Sequence, residues 1–193
     1  YNVLIINNTG EIPLKILGRM NFKDKLSQRI GMADINEILC LIGDNDDRKR
    51  ELYDLVMGDD EAIGCQAAWV FTHFSDENSE WLYDKQDELI DELLGCKHGG
   101  RRRVILNLLY RQPQANPPRV DLLDFCLERM MSCQELPGVK SLCMKLAYEL
   151  CRPIPELMQE FKMALEIMEV DAVPSMRCVR RRILKAIMKG KSL

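Results

Sequence analysis

The sequence predicts an all-α protein built from about five antiparallel helix pairs. Three observations lead there. From Phe22 onward the apolar residues recur at intervals of three and four, the spacing of one helix face. No stretch competes as a convincing buried strand. Short clusters of Gly, Pro, Asp and Ser separate the apolar stripes at the short intervals that joined helices need.

In chain order, Phe22, Leu26 and Ile30 form a first short stripe, and Ile35, Ile38, Leu39 and Ile42 a second, behind the cap-like Asp34. Leu52, Leu55 and Val56 continue the pattern, then Leu82, Leu89, Ile90, Leu93 and Leu94, then Leu122, Leu123, Cys126, Leu127, Met130 and Met131. The clearest stripe is Ile154, Leu157, Met158, Phe161, Leu165 and Met168. Alternating with these is a second set of apolar helices over residues 67–74, 104–110, 142–148 and 183–188. The breaks carry turn or helix-start chemistry: Gly58 with Asp59 and Asp60, residues 75–78, Gly99 with Gly100, "PQANPP" from Pro113, "LPG" from Leu136, "RPIP" from Arg152 and "VPS" from Val173.

The second set is periodic. Aligning Ala68, Val104, Leu142 and Ile183 brings Phe74, Tyr110, Tyr148 and Lys189 into register, with steps of 36, 38 and 41 residues. Periods near 40 with two helices each belong to helical solenoids. Over residues 34–193 the chain resembles the HEAT-like and armadillo-like α-solenoids in period, in helix pairing and in second helices such as "GCQAAWVFTHF" and "GVKSLCMKLAY". The resemblance implies a right-handed α-α superhelix that serves as a protein-interaction scaffold. Residues 20–193 then form one HEAT-like domain. Residues 1–19, strand-like and turn-like and unlike the rest of the chain, are an extension outside the core, since "MNFKDKLSQRIG" from Met20 reads as an ordinary start.

A hydrophobic fraction of 47% and a charged fraction of 30% are globular values. No apolar run approaches the roughly 18 to 20 residues of a membrane helix, and "VLII" at Val3 is too short for a signal-peptide core, so a cytoplasmic location is expected. The eight cysteines include no C-x-x-C pair; they read as free thiols packed as small hydrophobes in a reducing compartment. No metal or cofactor is expected.

Two arginine triplets punctuate the chain, "GRRRVILNLLYR" from Gly100 and "VRRRILKAIMKG" from Val179. Successive helical residues are turned by about 100°, so three in a row cannot serve one site. With Val104, Ile105, Leu108 and Leu109 buried, Arg101 lies on the stripe's edge; Arg180 has the same relation to Ile183, Leu184, Ile187 and Met188. Both are assigned to packing and to capping of neighbouring helices. Second helices of a solenoid stand side by side about 10 Å apart, so equivalent positions form a row. That row contains Gln66, Arg102, Lys140 and Arg181, with Arg103, Arg182 and Lys185 beside it. The candidate binding residues are therefore Arg102, Arg103, Lys140, Arg181, Arg182 and Lys185. A solvated row of charges is the bland alternative.

Charge is polarised along the chain. Residues 34–98 hold 18 acidic and 5 basic residues, while residues 99–193 hold 10 acidic and 17 basic. From Pro174 to the end there are seven Lys and Arg and no acid. Such asymmetry recruits an acidic protein or phosphate, or drives self-association. Another protein is the expected partner and no membrane is. The alternative is nucleic acid, because one branch of HEAT-like proteins consists of DNA glycosylases that remove alkylated purines. Trp69, Trp81, Tyr110 and Tyr148 are the stacking candidates it offers, Trp69 being better read as core. The overall charge of −3 weakens that reading, since DNA affinity rests on phosphate neutralisation.

Enzymatic signatures are missing, and no catalytic residue is assigned. His73 and His98 lie in different repeats, without Cys or Asp at nucleophile or ligand spacing. They are read as a helix-end and a turn residue. "DNDD" from Asp44 and "GDDE" from Gly58 lack the ligand spacing of a calcium loop and suit helix starts. "GCKHGG" and the late "GKS" are not phosphate loops. The "SSxMPxKxN" loop of helical lyases is absent.

Overall fold

The computed structural model describes residues 20–115, 117–168, 173–191 and 193, so the expectation for residues 1–19 lies outside the described residues. All regular structure among them is helical, as the periodicity predicts. The helices are α1 (Phe22–Leu26), α2 (Met32–Ile42), α3 (Asp46–Met57), α4 (Glu61–Phe71) and the single turn α5 (Asp76–Ser79). After a 3-10 turn (Glu80–Lys85) come α6 (Gln86–Gly95), α7 (Gly99–Tyr110), α8 (Val120–Met131), α9 (Pro137–Cys151), α10 (Pro155–Ile167) and α11 (Pro174–Lys189). The chain forms two compact units, divided after Asn78.

In the first unit α3 and α4 are the main pair, with α1 and α2 packed against them. Each helix start is built from a residue that accepts orphan backbone N–H groups. Asn21 Oδ1 accepts from Lys23 N at 2.9 Å, Asn45 Oδ1 from Asp47 N at 3.0 Å and Arg48 N at 3.2 Å, and Asp60 Oδ1 from Ala62 N and Ile63 N at 3.0 Å each. Asp34 lies inside the first turn of α2, where its carboxylate accepts from Gly31 N at 2.8 Å and Lys25 reaches it at 2.6 Å. The acidic runs at Asp44 and Asp59 thus serve helix starts. Asn45→Ala is expected to cost about 1 kcal/mol, read as a lower urea midpoint with an unchanged slope.

The core of this unit is Phe22, Leu26, Ile35, Ile38, Leu52, Val56, Ala67, Ala68 and Phe71, all at 1% exposure or less. Over its edge lies the Arg48 guanidinium, 4.1 Å above the Phe22 ring. Gln66, expected in an outward row, is instead half-buried. Its Nε2 donates to Leu26 O at 2.6 Å and Gln28 O at 2.8 Å, and its Oε1 accepts from Ile30 N at 2.8 Å, so it satisfies the turn after α1. Trp69 is half-buried rather than core, its ring 5.8 Å from that of His73.

In the second unit the helices pair as α6–α7, α8–α9 and α10–α11, and α9 packs on both α7 and α11. The second helices α7, α9 and α11 therefore stand side by side, as the period implies. Proline opens α9, α10 and α11, at a position where its missing N–H costs nothing. His98 caps α7, its Nδ1 accepting from Arg101 N at 3.1 Å. Gly190 ends α11 at φ 61°, a left-handed conformation that glycine adopts without penalty, and Lys191 N closes the turn on Ala186 O at 3.2 Å. Gly190, the first residue of "GKS", is thus a helix stop. Cys126, Cys143 and Cys151 are buried in this core, while Cys40, Cys133 and Cys178 are exposed. Burial pushes the Cys151 thiol up to about 11.

Candidate interaction surface

The first arginine of each triplet is structural, as its position on the stripe edge implies. Arg101 is 5% exposed and pairs with Glu92 of α6 at 3.0 Å. Arg180 donates from Nε to Leu165 O at 2.5 Å and from Nη2 to Glu166 O at 3.2 Å, satisfying the last carbonyls of α10.

The candidate basic row does not stay together. Arg102, assigned outward, is turned into a pair with Glu135, and its Nη2 donates to Lys97 O at 2.9 Å. The two side chains keep only 12% and 4% of their exposure, so Arg102 leaves the row. The reason is tertiary: Glu135 lies just before α9, where only the packing of α9 on α7 brings it close. Lys140 is half-buried, whereas Arg103, Arg181, Arg182 and Lys185 are exposed.

The exposed cations fall on two faces. One runs over the junction of α7, α9 and α11. Arg103 lies along Gly138 of α9, its Cδ 3.0 Å from where a Cβ on that glycine would stand. Seven residues further along both helices, Lys145 Nζ sits 5.4 Å from the centroid of the Tyr110 ring. Burial and Glu149 raise the Tyr110 phenol above its ordinary value, and the charge of Arg182 on α11 acts on it in the opposite direction. Arg182 therefore belongs with Tyr110 and Lys145.

The other face is on the opposite flank of α11. With Ile183 and Ala186 turned inward, a rotation of about 100° per residue puts Arg177, Arg181, Leu184 and Met188 on one side and Arg182 on the other. The first side bounds an open groove of about 730 Å³. Its apolar floor is Met168, Pro174, Met176, Leu184 and Met188, and Arg177, Arg181 and Lys185 supply the cations. Met188, expected in the buried stripe, is 76% exposed. Leu184 and Ile187 are half-buried, and the inward residues of α11 are Met176, Ile183 and Ala186.

Sequence reasoning missed this groove and Lys145. Spacings of four, three and four through Arg177, Arg181, Leu184 and Met188 were the signal available for the groove. Among the described residues no three His, Cys, Asp or Glu side chains converge as a metal site, and no helix is long and apolar enough to cross a membrane.

Paired helices whose second members stack into a row define an α-helical repeat protein. The model of the HEAT repeat domain family matches residues 22–187, most of the chain, and the chain belongs to that family. No curated protein and no solved structure matches it.

Proposed function

We propose that this chain is a non-enzymatic protein-interaction scaffold that takes an acidic partner on the basic surface of its C-terminal helices. The observation that supports it is the charge balance of the two faces that together make up this surface. Arg103, Lys140, Arg177, Arg181, Arg182 and Lys185 have no carboxylate partner among the described residues, whereas Arg101, Arg102, Arg119 and Arg152 are each ion-paired.

On α11 the cations lie four apart, at Arg177, Arg181, Lys185 and Lys189, with no acid on the helix to offset them. Like charges at that spacing destabilise a helix by roughly 0.2–0.5 kcal/mol per pair. A negatively charged partner relieves that repulsion, and so gains affinity beyond its own contacts. Such a surface also steers an acidic partner into encounter. A cytoplasmic location belongs to the same reading, since Cys40, Cys133 and Cys178 are free and exposed.

The test is fluorescence anisotropy at low ionic strength with a labelled Glu-rich peptide and a labelled DNA duplex. The peptide is expected to bind, and the triple variant Arg181→Glu, Arg182→Glu, Lys185→Glu to weaken it by about tenfold or more. Binding of the duplex alone, with a steep salt dependence, would turn the assignment to nucleic acid.

A further inference from the structure

The α11 groove is a different surface from the strip around Tyr110, and its shape is more specific than charge. We infer that it receives an amphipathic helix of a partner protein, apolar on the side turned to α11 and acidic along its edges. This rests on the proposal of an acidic partner and narrows it.

Shape comes first. The groove runs beside α11 from Pro174 to Met188, so a docked helix of equal length would have about four turns at 3.6 residues each. Its bounding residues recur at four, three and four along a regular helix, which makes a ridge of the kind another helix packs against. An extended strand has no such period to match.

The chemistry is divided in the same way. Met168, Met176, Leu184 and Met188 give a flexible floor, and unbranched Met side chains adapt to whatever apolar face covers them. Arg177, Arg181 and Lys185 place charge beside that floor, and there is no acid from Pro174 to the end of the chain to compete for them. A bare acidic tail would leave Met188, 76% exposed, in water. A nucleic-acid backbone would do the same. A helix with leucines facing inward and glutamates at the edges satisfies floor and rim together, the groove-and-helix mode of recognition.

Two labelled peptides of identical composition test this, one with Leu at i, i+3, i+4 and i+7 over about four turns and Glu elsewhere, the other scrambled. The amphipathic peptide is expected to bind at least about tenfold more tightly. Met188→Asp, at an exposed position, should abolish that advantage, and Arg50→Glu, a charge reversal at an exposed position of α3, should leave it within about twofold. Equal binding of both peptides overturns the groove inference and leaves the acidic-partner proposal standing. Binding of neither removes both. Sedimentation of the protein alone gives the other overturning result: self-association that Met188→Asp abolishes makes the occupant a second copy of this chain.

Discussion

Phe71→Ala is expected to lower the stability of the first unit by about 4 kcal/mol, the scale of an aromatic truncation in a core that cannot collapse. Phe71 is 1% exposed at the end of α4. Its ring meets Tyr53 of α3 edge-on at 6.3 Å and Phe74 at 4.7 Å. Both neighbours are themselves buried, at 4% and 5% exposure, Tyr53 on α3 and Phe74 in the turn that follows α4. Truncation therefore removes the transfer energy of the ring, two aromatic contacts, and packing on the α3–α4 pair that organises this unit. With a urea slope of about 3 kcal/mol/M the midpoint should fall by about 1.3 M. Phe71→Leu keeps most of the volume and should lose less than half as much. Equal midpoints for Phe71→Ala and the parent chain would mean that Phe71 is not a keystone of the unit.

What the sequence shows and what it hides divide along one physical line. Features set by neighbours within a few residues are legible. The helix starts at Pro137, Pro155 and Pro174 are fixed by a ring that pre-sets φ, and Arg101 and Arg180 by rotation along their own helices. Features set by partners tens of residues away are not. Gln66 reads as a solvent-facing amide until the turn at residues 26–30 is placed against it. Met188 fits an apolar stripe by spacing, but whether a stripe is covered depends on a facing element, which periodicity does not report. The candidate surface suffered most from this. Of its six residues, Arg102 is spent on Glu135, Lys140 is half-buried, and the rest divide between two faces of α11 and α7.

Glu135→Ala is expected to cost about 3 kcal/mol, because it strips the counter-charge from an arginine already out of water. Glu135 ties three things together. Its carboxylate pairs with Arg102, which also donates to Lys97 O ahead of α7, and its Oε1 accepts from Leu136 N at the start of α9 at 3.0 Å. Leu136 in turn packs against Gly99, where a Cβ would come within 2.8 Å of its Cδ1. The pair thus clamps the first turn of α7 to the first turn of α9. Removing one member leaves a desolvated charge; removing both leaves only a hole or, with suitable side chains, a packed apolar contact. The double variant Arg102→Met, Glu135→Leu should accordingly recover most of the loss, whereas Arg102→Met alone should be nearly as damaging as Glu135→Ala. Urea denaturation of the parent chain, Arg102→Met, Glu135→Leu and the double variant closes the cycle. Additive losses would show that Arg102 and Glu135 act independently, which would return Arg102 to the exposed basic surface from which the pair removes it.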